Sequence, residues 1–303
     1  MSRPVAIDCD PGLDDAVAML LACGALDVKA VTTVAGNAPL EQTTPNAARL
    51  LSCCNRDVPL AAGMAAPLVR DLTTAEDVHG EDGLGAVELP DASVEPIDRH
   101  ATELLADVAR TTDDLVILSV GPQTNVAAAI RRDPELIDDI DRIVVMAGST
   151  QGGNVTPVAE FNAYVDPEAL SIVLNADVPV TMVGLNVTWT ARVGEETAAE
   201  LERANDSVGQ YAAAFIRALS PFHSARDGWD AVPLHDALAA AAIVDPNILT
   251  TRSMRVDVET RGEYTTGATV CHPDADDPNV DVAIDVDVDH FRSVLVDAIG
   301  SGR

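Results

Sequence analysis

The sequence predicts an α/β protein: a single domain with a mostly parallel central sheet flanked by helices and a small antiparallel addition at its C-terminal end. Three observations carry this. The first forty residues read as strand, turn, helix, strand; β-branched apolar runs then alternate with helical stretches; and the last third switches to a two-residue alternation.

Taken in order, Val5-Ala6-Ile7 is a short apolar run broken by Pro11-Gly12, and Ala16 to Ala25 has helical composition. Val28 to Val34 is rich in β-branched residues, as a buried strand should be. Further apolar runs stand at Leu115–Leu118, Ile143–Met146 and Val178–Val183, with helical stretches such as Ala101–Arg110 and Asn125–Ile130 between them. From Val280 to Asp289 apolar residues hold every even position, the period of a half-exposed strand, which places its acids in water rather than on a metal. No linker-like stretch divides the chain and no internal repeat is visible, so residues 1–303 read as one domain.

Composition narrows the setting. Forty-nine acids oppose nineteen bases, a formal charge of -30, and Lys29 is the single lysine. Such a surface repels nucleic acid and anionic membranes, which excludes both as partners. Because the acids are spread along the whole chain, they read as a carboxylate surface adapted to high salt. No run of 18 apolar residues could span a bilayer, and the N-terminus lacks the pattern of a signal peptide, so a cytoplasmic location is expected. The five cysteines (Cys9, Cys23, Cys53, Cys54, Cys271) have no C-x-x-C spacing and read mainly as small buried hydrophobes.

In open α/β sheets ligands bind beyond the carboxyl ends of the strands. The residues that follow the apolar runs are Asp8 to Asp15, then Gly36-Asn37, Gly121 to Asn125, and Gly148-Ser149 with Gly152-Gly153-Asn154 close behind. These strand ends should converge on one polar rim. Asp8, Asp10, Asp14 and Asp15 put four carboxylates in eight residues, and they repel one another unless something positive sits among them. The N-terminus of the following helix offsets part of that charge for Asp14 and Asp15. A hard cation, calcium or magnesium, would satisfy the whole cluster. An EF-hand is excluded, because the fifth position counted from Asp8 is Gly12. A magnesium-dependent phosphatase of the haloacid-dehalogenase type also begins Asp-x-Asp after a strand. Such motifs usually continue into Thr or Val, where this chain has Pro11-Gly12.

The run Asp8-Cys9-Asp10-Pro11-Gly12-Leu13-Asp14-Asp15-Ala16 resembles the N-terminal fingerprint of the inosine-uridine-preferring nucleoside hydrolases. Thr32 to Asn37, His79-Gly80-Glu81, Gly121 to Asn125, Ala159 to Asn162 and His235-Asp236 follow in that family's order, so the resemblance covers essentially the whole chain. It implies hydrolysis of ribonucleosides to ribose and free base, in a homo-oligomer of two or four copies. It further implies a Ca2+ ion held by Asp10, Asp15, Asp236 and the backbone carbonyl of Thr124, all hard oxygen donors. Asp10 would be the general base. Asp14, Asn37, Asn154, Glu160 and Asn162 would bind the ribose, whose hydroxyls need donors and acceptors at fixed positions. His235, with His79 as the second candidate, would protonate the leaving base.

The resemblance thins between Tyr211 and Asp230, the segment expected to form a mobile lid. Family members commonly place tyrosines there; this chain has Phe222, His223 and Trp229, of which the aromatics could stack on a base and His223 could aid protonation. Asn186 replaces the usual acid after Gly184-Leu185. A catalytically silent nucleoside-binding protein on the same fold is the reading from another class, and the presence of Asp10 and His235 weighs against it.

Overall fold

The computed structural model describes residues 2–204 and 207–300. Its strands are β1 (Pro4–Cys9), β2 (Asp27–Thr33), β3 (Leu60–Ala62), β4 (Val116–Ser119), β5 (Arg142–Met146), β6 (Val180–Val183), β7 (Arg192–Val193), β8 (Val232–Pro233), β9 (Leu249–Val258), β10 (Thr269–His272) and β11 (Val280–Val286). All but β7 and β8, which pair with each other, join one nine-stranded sheet in the order β10-β9-β11-β6-β5-β4-β1-β2-β3. From β3 to β11 every pairing is parallel; β9 and β10 add the antiparallel edge. The predicted architecture is therefore the observed one, with each predicted strand and helix displaced by only a few residues at its ends.

The central strands are buried on both faces, which explains their continuous apolar runs. Successive side chains alternate between two cores: Val5, Ile7 and Cys9 enter one, and Ala6 enters the other. Val116 and Leu118 likewise oppose Ile117, and Val144 and Met146 oppose Ile143 and Val145. Helix Leu13–Ala25 lies inside the first core, with every residue from Leu13 to Cys23 buried. It packs against helices Ser207–Asp227, His235–Val244 and Val288–Gly300, so it has no polar face to offer water. Each fully buried Leu or Met there contributes roughly 1.5–3 kcal/mol, and Asp14 and Asp15 are carried into the interior with them.

The C-terminal alternation needs correction. The strand stops at Val286, and a register shift between Ala283 and Asp285 buries Ala283 and leaves Ile284 44% exposed. The next residues start helix Val288–Gly300, where Asp287 Oδ1 accepts the His290 N–H at 3.0 Å. A local helix cap overrides the two-residue pattern there. All five cysteines are free thiols, with Cys9 and Cys23 buried and the other three partly buried. Among the described residues no helix is long and apolar enough to cross a membrane.

The strand order places the site. After β1 the chain steps outward through β2 and β3, then returns to the other side of β1 as β4. The loops leaving β1 and β4 thus diverge, and the crevice at their carboxyl ends is where a ligand fits this topology.

Candidate active site

The loop after β1 turns at Pro11-Gly12 directly into helix Leu13–Ala25. Asp15, in the first helical turn, accepts the N–H of Gly12 at 3.0 Å and Asn37 Nδ2 at 2.8 Å on Oδ2, and the N–H of Asp10 at 3.2 Å on Oδ1. The acid thereby caps its own helix and locks the loop that presents Asp10. The Asp10 carboxylate is fully buried. Its Oδ2 accepts the Asn37 N–H at 2.7 Å, while its Oδ1 has no hydrogen-bonding partner among the described residues. Two glycines make room for it. A Cβ at Gly36 would lie 2.1 Å from Asp10 Oδ2, and one at Gly121 would lie 2.6 Å from Oδ1. Both belong to the strand-end motifs read from the sequence.

Asp8 takes a different part. It stays within β1, where its Oδ1 accepts Thr32 Oγ1 at 2.6 Å and Asn125 Nδ2 at 2.8 Å, and burial pushes its pKa up to about 7. Asn125 also donates to Thr33 O at 2.9 Å and accepts the Met64 N–H at 2.8 Å, so one amide ties the ends of β1 and β2 to the segment after β3. Its neighbour Thr124 is buried and donates its hydroxyl to Asp166 Oδ2 at 2.8 Å.

Asp236 arrives from the first turn of helix His235–Val244. Carboxylate oxygens of Asp14, Asp15 and Asp236 come within 4.8 Å of one another, all three buried. The sequence reading placed Asp10, not Asp14, among the ligands; Asp10 adjoins this triad through Asp15. Burial raises the pKa of Asp10 well above the carboxylate range, with the charge of Asp15 adding to it. It raises Asp236 in the same way, assisted by Asp14, Asp15 and Asp10, and pushes Asp14 up to about 6. Four neighbouring buried acids cannot all ionise alone. A buried oxygen without a partner, hard donors and mutual repulsion together fit a divalent cation.

Asp14 and Asp236 line a cavity of about 740 Å³, within the range for small-molecule sites, with Asp15 beside them and Asp10 bonded to Asp15. Asp14, Asn37, Asn154, Glu160, Asn162, His79 and His235 all line it, as do Phe222, His223 and Trp229. Glu160 caps helix Phe161–Val165, accepting the N–H groups of Asn162, Ala163 and Gly148 at 2.9, 3.0 and 2.9 Å, yet burial still pushes its pKa up to about 7. Asn162 Nδ2 donates to Val120 O at 2.7 Å and Met146 O at 3.0 Å, which leaves its oxygen as the atom it can offer a ligand. Asn154 Oδ1 is buried with no partner among the described residues, an acceptor suited to a hydroxyl donor.

The lining also holds imidazole and aromatic side chains. His79 Nδ1 accepts the Leu13 N–H at 3.0 Å, and burial lowers its pKa to about 4. His235 Nδ1 lies 2.6 Å from Thr188 Oγ1, with a pKa lowered by burial to about 3. His223 Nδ1 lies 3.0 Å from Asp227 Oδ2; its ring stacks on Trp229 at 5.8 Å and meets Phe222 edge-on at 5.2 Å. A cavity lined by carboxylates and amides together with aromatic rings offers partners both to a polyhydroxyl sugar and to a flat base.

Comparison with known proteins decides the family. The sequence model of the "Inosine-uridine preferring nucleoside hydrolase" family matches residues 5–293. The chain belongs to this family. Nucleoside hydrolases resemble it along their whole length. A "Pyrimidine-specific ribonucleoside hydrolase RihA" of Photobacterium profundum is 41% identical over 311 residues, covering 99% of this chain and 100% of the relative. A solved plant nucleoside hydrolase has a TM-score of 0.91 at 31% identity, with 99% of this chain and 100% of that one covered. A purine-preferring ribonucleoside hydrolase from Gardnerella vaginalis has a TM-score of 0.93 at 29% identity, with 99% of each chain covered. This nucleoside hydrolase is thus an enzyme acting on N-glycosyl bonds, and the haloacid-dehalogenase alternative falls away.

Several residues in or behind the cavity lining of the hydrolase were not foreseen. Thr188, which holds His235, and Arg226, which donates to Asn154 O at 2.8 Å, carry no local motif. Asp227 does: it stands four residues after His223 on one helix, the spacing at which side chains meet. Asn186, the departure from the family pattern, does not line the cavity. It accepts the Thr150 N–H at 3.2 Å and donates to Ala283 O at 2.8 Å, a tie between strand ends.

Proposed function

We propose that this nucleoside hydrolase cleaves ribonucleosides with the buried carboxylates as a Ca2+ site, Asp10 as general base and pyrimidine ribonucleosides as preferred substrates. The observation that carries it is the cluster of four buried acids at the β1–β4 crevice, two of which, Asp14 and Asp236, line the cavity, with Asp10 Oδ1 unpartnered. Asp10, Asp15, Asp236 and the Thr124 carbonyl would hold the ion, with Asp14 close enough to share it or to bind ribose. When bound, the cation supplies positive charge that offsets the acids, orients sugar hydroxyls and makes a nearby water easier to deprotonate.

The protein groups then act in turn. Asn37, Asn154, Glu160 and Asn162 fix the ribose through its hydroxyls. Asp10, with Oδ2 held by the Asn37 N–H, takes the proton of the attacking water. As the bond from C1′ to the base breaks, positive charge grows on the ribose, and the carboxylates stabilise it more than they stabilise the neutral substrate. His235 lines the cavity with Nδ1 paired to Thr188, which would leave its Nε2 for the leaving base. Pyrimidine preference is supported by the 41% identity to relatives named as pyrimidine-specific, against 29% to the purine-preferring enzyme. A dimer or tetramer, a cytoplasmic location and adaptation to high salt belong to the same proposal. Ribose release from uridine, cytidine, inosine and adenosine, in molar salt with and without calcium, tests it. Calcium-dependent release with uridine or cytidine fastest is expected; release unaffected by chelator would overturn the metal assignment.

A further inference from the structure

We infer that His223, held by Asp227, is the proton donor to the departing base. The inference rests on the hydrolase reading above and concerns the segment where the chain departs from the family pattern.

Three histidines line the cavity, and their Nδ1 partners differ in kind. His79 Nδ1 accepts a backbone N–H, so its ring proton is on Nε2. The Nδ1 of His235 meets the hydroxyl of Thr188. Only His223 is paired with a carboxylate, Asp227 Oδ2 at 3.0 Å. An imidazole oriented in this way keeps its Nδ1 proton in the bond to the acid and delivers the Nε2 proton of its imidazolium form, leaving a neutral ring beside the carboxylate. The ring is also fixed. It stacks on Trp229 within 9° of parallel, meets Phe222 edge-on, and is only 7% exposed. Arg192 lies 4.5 Å from the centre of the Trp229 ring, and Arg226 bonds the helix end to Asn154 O. His223 thus reaches the cavity from the helix that covers it, within electrostatic range of Asp14 at the sugar end.

The step balances. The C1′–N bond breaks with its electron pair passing to the base, the Nε2 proton of His223 goes to the base, and water oxygen bonds to C1′ as its proton passes to Asp10. The charged groups facing His223 are Asp227 and Arg226 on its own helix, Asp14, and, when protonated, His79 and His235. Arg192 stands beside Trp229.

The test compares uridine with 4-nitrophenyl β-D-riboside, whose phenolate leaves without a proton, in molar salt with calcium. His223→Gln should lower kcat on uridine by about 10²- to 10⁴-fold, and lower it at least ~30-fold more on uridine than on the nitrophenyl riboside, the gap a lost general acid leaves. Asp227→Asn should show the same selectivity with a smaller loss and little change in KM. Equal losses on both substrates would overturn the inference, as would a selective loss in His235→Gln with none in His223→Gln. Wild-type enzyme inactive on both substrates would instead bring down the hydrolase reading, and this inference with it.

Discussion

Removing calcium should make the protein lose stability as pH rises, and the size of the effect follows from the buried acids. Burial raises Asp14 from its ordinary 3.8 to about 6 and Glu160 from 4.5 to about 7. A carboxyl whose folded pKa lies above its unfolded one binds more protons when folded. Its contribution is therefore complete below the unfolded pKa and lost as pH climbs through the folded one, here between roughly pH 4 and pH 7. For Asp14 alone the difference corresponds to about 3 kcal/mol, with Asp10, Asp15 and Asp236 shifted in the same direction. At roughly 2–4 °C per kcal/mol for a chain near this size, the metal-free protein should melt on the order of 5–10 °C lower at pH 8 than at pH 5. The surface acids must be separated from this effect. Molar salt does so, since the Debye length falls to about 3 Å and screens the surface while buried pairs are screened much less. Scanning calorimetry in 2 M salt with chelator, repeated with calcium, gives the answer. Calcium should raise the melting temperature more at pH 8 than at pH 5, because only there are the acids ionised. A metal-free melting temperature that is flat or rising from pH 5 to pH 8 would refute the reasoning.

Other consequences can be checked separately. Gly36→Ala puts a Cβ 2.1 Å from Asp10 Oδ2 and should lower kcat by about 100-fold or more through displacement of that carboxylate; a variant as fast as wild type would contradict the cradle. Asn125→Ala strips partners from Asp8, Thr33 O and Met64 N and should cost about 2–5 kcal/mol of stability, read in denaturant melts. With a formal charge of -30, the chain should melt at least ~10 °C lower in 0.1 M than in 2 M sodium chloride near neutral pH, self-repulsion being screened only in the latter. Insensitivity to salt would remove the argument for a high-salt adaptation.

The architecture was legible because a parallel sheet writes itself as short apolar runs, and those runs marked the strand ends where Asp10, Asn37, Thr124 and Asn154 stand. Gly36 and Gly121 were visible only as strand-end residues, and the Asp10 carboxylate that tolerates no Cβ there was not. What stayed hidden is tertiary. Nothing local to Asp8 says that Thr32 and Asn125 will both donate to its Oδ1 while Asp10 Oδ1 is left without a partner. The proximity of Asp14 to Asp236 depends on two helices separated by most of the chain. Thr188 meets His235 across forty-seven residues, a contact between the end of helix Leu185–Thr188 and the start of helix His235–Val244. The β11 alternation misled because a bulge and the Asp287 cap, each costing the pattern only a residue or two, outweighed the period.

The central claim is that buried carboxylates and a divalent cation hydrolyse a nucleoside here, and its most direct test is ribose released from uridine by wild type and Asp10→Asn in molar salt. The account predicts release that depends on added calcium, stops with chelator, and falls by at least about 10³-fold in a folded Asp10→Asn variant. Undiminished release by Asp10→Asn, or none from the folded, calcium-loaded wild type, would contradict it.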